Sequence, residues 1–162
     1  MVKDDISLAQ WALVEEIKAG KWKTLDFLKI AREDFDLNGI EFVNTLFEVP
    51  TISYLNALKQ NAANNGVAMI LIMVDDEGDP CASAKEERKQ FEINHRKWID
   101  IAHYLGCHAI RTNCRGTEHV SKEDAMRRAS ETYYGLLEYA GDSNVKILIE
   151  NHGAFPMMLI GR

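Results

Sequence analysis

The chain reads as an α/β protein: about five parallel strands and four helices forming part of a (β/α) barrel. Three observations predict this. Short apolar runs alternate with longer amphipathic segments, the crossovers are long enough to hold helices, and the runs end in polar side chains.

Taken in order, residues 6–10 form the first and weakest run. Leu25, Leu28, Ile30 and Ala31 then make an apolar stripe at helical spacing. Residues 39–43 (Gly-Ile-Glu-Phe-Val) are the second strand, and Ile52, Leu55 and Leu58 mark the second helix. The third strand, 67–74, is apolar throughout, as a strand covered on both faces should be. In the long segment 84–105, Phe91, His95, Trp98, Ile99, Ala102 and Leu105 recur at three- and four-residue steps, and Gly106 stands where a helix C-cap glycine belongs. Residues 107–113 give the fourth strand. Ser121 and Asp124 then carry a capping-box pattern before a helix that runs to Ala140 and stops at Gly141. The fifth strand is 145–150.

A doubly wound sheet and a barrel both satisfy this order. The first strand–helix junction lacks GxGxxG, and no GxxxxGK[ST] phosphate loop occurs, which argues against the doubly wound nucleotide-binding sheet. The strand ends carry Gln10, Glu41 with Asn44, Asp75 with Asp76, Arg111 with Asn113, and Glu150 with His152. Successive strand ends that aim polar groups at one rim are the layout of a barrel enzyme.

With 162 residues and 46% hydrophobic content, the chain can bury a sizeable core. A net charge of −6 opposes the electropositive surface that a phosphate backbone needs, so nucleic acid is not expected as a partner. Cys81, Cys107 and Cys114 match no CxxC spacing, which fits a reduced, cytoplasmic setting. The longest apolar run is too short to span a bilayer, and no membrane association is expected.

Glu150 ends an apolar strand, with His152 two positions on, and this is how a metal and proton-transfer site begins. His152 is a candidate for contacting substrate oxygens or for holding Glu150 in place. Arg111 and Asn113 alternate with Ile110 and Thr112 and so share a face, where they would meet substrate; an ion pair between Arg111 and Glu41 is the rival reading. Asp75, Asp76 and Glu77, followed by Gly78, Asp79 and Pro80, read as a solvated turn. His95, His103 and His108 read as core-edge or surface residues, Trp11 and Trp22 as closing the barrel end, and Lys85, Arg88 and Lys89 as a solvated helix face.

Glu41 in Gly-Ile-Glu-Phe-Val, the stretch Gly-Cys-His-Ala-Ile-Arg-Thr-Asn and above all Ile-Leu-Ile-Glu-Asn-His-Gly resemble the sugar phosphate isomerase/epimerase family, the xylose isomerase-like TIM barrel. The resemblance runs from about residue 6 to residue 155. It implies a divalent metal (Mn, Mg, Co or Zn) held by Glu, Asp, His and Glu from successive strand ends, and a proton exchanged through an enediolate. Glu150 matches the first ligand and would be both metal ligand and catalytic group; Glu41, Arg111, Asn113 and His152 would bind substrate. The sugar or sugar phosphate is then the small-molecule partner. A full barrel needs about 250 residues. Residues 1–155 are therefore expected to be the N-terminal portion of such a domain, inactive alone, with 156–162 as an atypical tail. Self-association or a complementing barrel half is the expected protein partner. Two alternatives stand beside this reading. One is an apurinic-site endonuclease-like barrel, which would need histidine ligands where Asn44 and Asp75 sit; the other is a non-enzymatic half-barrel assembly module.

Overall fold

The computed structural model describes residues 6–115 and 120–152. Five strands, β1 (Leu8–Ala9), β2 (Gly39–Val43), β3 (Ala68–Val74), β4 (Ala109–Arg115) and β5 (Lys146–His152), lie side by side in chain order, and every pair is parallel. The order never reverses, so the sheet curls in one sense as barrel strands do and has no doubly wound switch point.

The helices are α1 (Val14–Lys18), α2 (Thr24–Glu33), α3 (Ile52–Asn65), α4 (Lys85–Leu105) and α5 (Lys122–Ala140). The sequence predicted four, and α1 is the fifth. It is a single short turn after a 3₁₀ segment over Gln10–Leu13, and it buries no residue, so it has no apolar stripe to read. The longer helices carry their own stop and start signals. The Ser121 hydroxyl accepts from the Asp124 amide at 3.1 Å, and Gly66 and Gly106 end α3 and α4 at φ +62° and +81°. Gly106 also displaces the start of β4. Cys107 still belongs to the helix exit, its amide bonded to the Ala102 carbonyl at 2.9 Å, and the strand begins at Ala109. Both β4 and β5 run two residues beyond their predicted ends, so Glu150 lies inside β5 rather than at its tip.

The two sheet faces have different jobs. Ile40, Phe42, Ile72, Val74, Ile110 and Cys114 point at the helices and pack against Phe27, Leu28, Leu58, Phe91, Ile99 and Leu136 in one buried cluster. Each such side chain contributes about 1.5–3 kcal/mol of transfer free energy. Residues of opposite parity, among them Glu41, Met73, Arg111 and Asn113, line the other face, which would be the barrel interior. Thr112 is polar yet lies on the helix side, where it bonds the Tyr133 hydroxyl at 2.7 Å.

Several side chains depart from their predicted settings. His95 lies inside the core at 1% exposure rather than at its edge. Arg88 does not sit on a free helix face: it donates to the Ala82 and Ser83 carbonyls at 2.9 and 3.1 Å and pins the chain leading into α4. No helix among the described residues is long and apolar enough to cross a membrane.

Candidate active site at the carboxyl ends of the strands

The interior face of the sheet gathers its polar groups around Asp75, the residue that follows β3. One carboxylate oxygen, Oδ1, accepts from Arg111 Nη1 at 2.8 Å and from Asn113 Nδ2 at 2.5 Å. The other, Oδ2, accepts from Trp11 Nε1 at 3.2 Å. Asn44, which follows β2, fixes the Asp75 backbone from both sides: its Oδ1 accepts the amide at 2.8 Å and its Nδ2 donates to the carbonyl at 2.9 Å. Asp75, Asn44 and Asn113 are all buried. Buried polar groups of this kind are costly when a partner is removed, so the cluster holds the rim of β2, β3 and β4 in one arrangement.

Asp75 is therefore no solvated turn residue. Asp76, at φ +60°, is exposed, while Glu77 accepts from Trp98 Nε1 at 2.7 Å and pairs with Lys97 at 2.8 Å. Trp11 reaches Asp75 from the segment after β1 and remains 40% exposed.

Arg111 bridges this cluster to the edge strand. Its Nε lies 2.8 Å from Glu150 Oε2, while Nη1 donates to Asp75 and also to Asn113 Oδ1 at 2.5 Å. The parallel register explains the reach. Asn113 pairs with Glu150 and Arg111 with Leu148, so Arg111 and Glu150 share a face and sit one side-chain step apart on the diagonal. Glu150 is half-exposed, and its Oε1 lies 3.8 Å from His152 Nδ1. The guanidinium thus stands between two carboxylates, one buried and one open to solvent.

The ion pair of Arg111 with Glu41 does not form. Glu41 pairs in register with Leu71, which pairs with Ala109, a full side-chain step below Arg111, and Glu41 instead accepts from Ser7 Oγ at 2.5 Å. Of the predicted site residues, Arg111, Asn113, Glu150 and His152 come together, and Glu41 stands apart. Asp75, Asn44 and Trp11 are the members whose role the sequence reading missed. The signal was present: Leu71, Met73 and Asp75 share one parity, so the carboxylate continues the interior face past the strand end.

The described residues contain no group of three His, Cys, Asp or Glu side chains placed to hold a metal ion. Asp75 is engaged by Arg111, Asn113 and Trp11, and Glu150 offers one carboxylate. That set alone does not fit a divalent cation, which takes several oxygen or nitrogen ligands. At the ends of β2 and β3, where an endonuclease-like site would need histidines, Asn44 and Asp75 bond to each other.

A sequence profile of the xylose isomerase-like TIM barrel matches residues 29–161. The chain belongs to the xylose isomerase-like TIM-barrel family. By sequence, no curated protein matches the chain. Among solved structures it is similar to D-psicose 3-epimerase in the presence of D-fructose, with TM-score 0.70 at 16% identity over 83% of this chain and 48% of that one. A sugar phosphate isomerase/epimerase from Parabacteroides distasonis ATCC 8503 gives 0.68 at 16% over 94% and 52%. The IOLI protein with a zinc atom gives 0.68 at 13% over 91% and 51%. At these identities the likeness shows the fold. The chain spans about half the length of these xylose isomerase-like barrels, and its five parallel strands with their helices match part of theirs.

Proposed function

We propose that this chain supplies the first four βα units and the fifth strand of a sugar or sugar-phosphate isomerase/epimerase, with Glu150 as its proton-exchanging carboxylate. The observation that carries the reading is the 2.8 Å pair between Arg111 Nε and Glu150 Oε2 on the interior face of the sheet. It holds a half-exposed carboxylate by one oxygen at the rim where barrel enzymes keep their chemistry, and the other oxygen is left to meet a ligand.

The reaction is removal of a proton from carbon next to a carbonyl and its return, through an enediolate. Glu150 takes and gives the proton. Arg111 is a positioning residue, itself anchored by Asp75 and Asn113, and His152 is placed to meet sugar hydroxyls beside Glu150. A divalent ion (Mn, Mg, Co or Zn) supplies charge stabilisation for the enediolate oxygens in such chemistry. This chain provides one oxygen toward it, so the other ligands belong to whatever completes the rim, and the chain alone is inactive. The similarity to D-psicose 3-epimerase and to a sugar phosphate isomerase/epimerase supports the substrate class.

The test pairs the chain with a C-terminal barrel half from a structurally similar epimerase, adds Mn²⁺, and follows deuterium entering ketohexoses and sugar phosphates from D₂O by NMR. Exchange that depends on both halves and disappears in Glu150→Gln supports the reading. Exchange by the complementing half alone, or undiminished in Glu150→Gln, refutes it.

A second reading, a half-barrel assembly module, is favoured by a separate observation. Among the described residues β5 is paired on one side alone, and Leu148, Ile149, Tyr134 and Leu137 around it are 41%, 51%, 63% and 55% exposed. An apolar strand edge of this kind invites pairing, either with a second copy or with a complementing half. Light scattering across a dilution series tests it; a monomer at every concentration, in the presence and absence of the complementing half, sinks it.

A further inference from the structure

The residues beneath the rim cluster hold a feature that sugar chemistry does not use. Cys81 and Cys114 are both fully buried, and their sulfurs lie 3.7 Å apart, in van der Waals contact, across 33 positions of sequence. Cys114 directly follows Asn113 in β4. Cys81 lies in the connection between β3 and α4 that Asp75 begins, its amide bonded to Asp79 Oδ1 at 2.8 Å. Both ends of this contact thus adjoin the groups that hold the rim.

We propose that Cys81 and Cys114 are a peroxide-oxidisable dithiol, a modification site whose disulfide staples the β3–α4 connection to β4 beside the Asp75–Arg111–Asn113 cluster. A disulfide needs sulfurs about 2.05 Å apart. Cys114 sits on a fixed central strand, so Cys81, in the irregular connection, makes the approach. The chemistry assigns different roles to the two sulfurs. The contact with Cys81 draws the Cys114 thiol below its ordinary pKa, and the same contact together with burial pushes Cys81 up. Cys114 is the attacking thiolate.

In the first step Cys114 sulfur attacks one oxygen of hydrogen peroxide, the O–O bond breaks, hydroxide leaves, and Cys114 becomes the sulfenic acid. In the second, Cys81 sulfur attacks Cys114 sulfur and the S–O bond breaks. The departing hydroxide takes the Cys81 proton as water. In sum, two thiols and one peroxide give one disulfide and two waters. Peroxide is close to water in size, which suits a buried pair that larger disulfide reagents reach slowly. Cys107 is the internal control: burial pushes its thiol up to about 12, and it has no sulfur partner among the described residues.

The test treats the full chain with a small molar excess of hydrogen peroxide, alkylates it under denaturing conditions, and maps peptides by mass spectrometry without reduction. The expected product is a Cys81–Cys114 linked peptide with Cys107 alkylated, and a melting temperature raised by about 10 °C and restored by dithiothreitol. Cys107→Ser should keep the shift and Cys81→Ser should lose it. Absence of the linked peptide, a link through Cys107, sulfinic acid at Cys114 in its place, or an equal shift in Cys81→Ser would each overturn the assignment.

Discussion

Arg111 and Glu150, on neighbouring strands of the open sheet, meet through Nε and Oε2 at 2.8 Å, and the same guanidinium reaches Asp75 Oδ1 at 2.8 Å. The two contacts differ in setting. The Asp75 side is buried and shared with Asn113, Asn44 and Trp11, whereas Glu150 is half-exposed. A structural anchor and a chemical group are thus divided between the two ends of one arginine.

This division predicts unequal costs of substitution. Asp75→Ala removes the carboxylate that Arg111, Asn113 and Trp11 share, while Asn44 keeps its bonds to the backbone at position 75, and should lower stability by about 3 kcal/mol, in the range for breaking a buried pair. Glu150→Ala removes an exposed partner and should cost less than about 1 kcal/mol. Urea unfolding of the two variants beside the parent chain reads the difference directly, and equal losses would remove Asp75 from its place as anchor.

His95 predicts a pH dependence. Its Nδ1–H donates to the Phe91 carbonyl at 2.8 Å, while Nε2 is buried with no partner among the described residues, and burial depresses its pKa. A folded-state pKa below the unfolded value of about 6.5 means that the unfolded chain binds the extra proton. The contribution is therefore fully present above that unfolded value and is lost as pH falls toward the folded pKa, by up to about 1.4 kcal/mol per pH unit. Urea midpoints between pH 5 and 8 should show this fall, and His95→Gln should flatten it.

Metal binding by the isolated chain should be weak. With no group of three ligating side chains among the described residues and Glu150 held through one oxygen by Arg111, calorimetry with Mn²⁺ or Zn²⁺ should detect nothing tighter than about millimolar, the range of sites poor in charged ligands. A micromolar site abolished by Glu150→Gln would show that the chain holds a ligand set the described residues do not reveal.

The exposed apolar patch around β5 predicts association. Leu137→Lys and Ile149→Lys should each shift the chain toward monomer in light scattering, with the fold retained by circular dichroism. Unchanged association in both variants would place the contact elsewhere.

Much of this architecture was legible in the sequence because it rests on local patterns. The apolar runs of β2 and β3 stand out against their polar flanks, and Ser121 and Gly106 announce helix ends through cap chemistry that acts within a few residues. Glu150 was visible as a charge on an apolar strand. Its partner was not, since a pair between β4 and β5 depends on register, and Arg111 was open to Glu41 as well until the strands were aligned. Asp75 was misread for a related reason: its acidic, glycine- and proline-rich surroundings look like a solvated turn, and its true partners, Trp11, Asn44, Arg111 and Asn113, come from three other segments. The short α1 left no trace because it is five residues long and only Ile17 packs against the core, too little for an apolar stripe.

The most direct test of the account is deuterium exchange from D₂O into a keto-sugar, catalysed by the chain joined with a complementing barrel half and measured for the parent and for Glu150→Gln. A carboxylate that moves the proton is worth about 10²–10⁴-fold, so the account predicts a loss of at least a hundredfold in Glu150→Gln with association and folding unchanged. Exchange that proceeds at the parent rate in Glu150→Gln, in a complex that is folded and assembled, would contradict it.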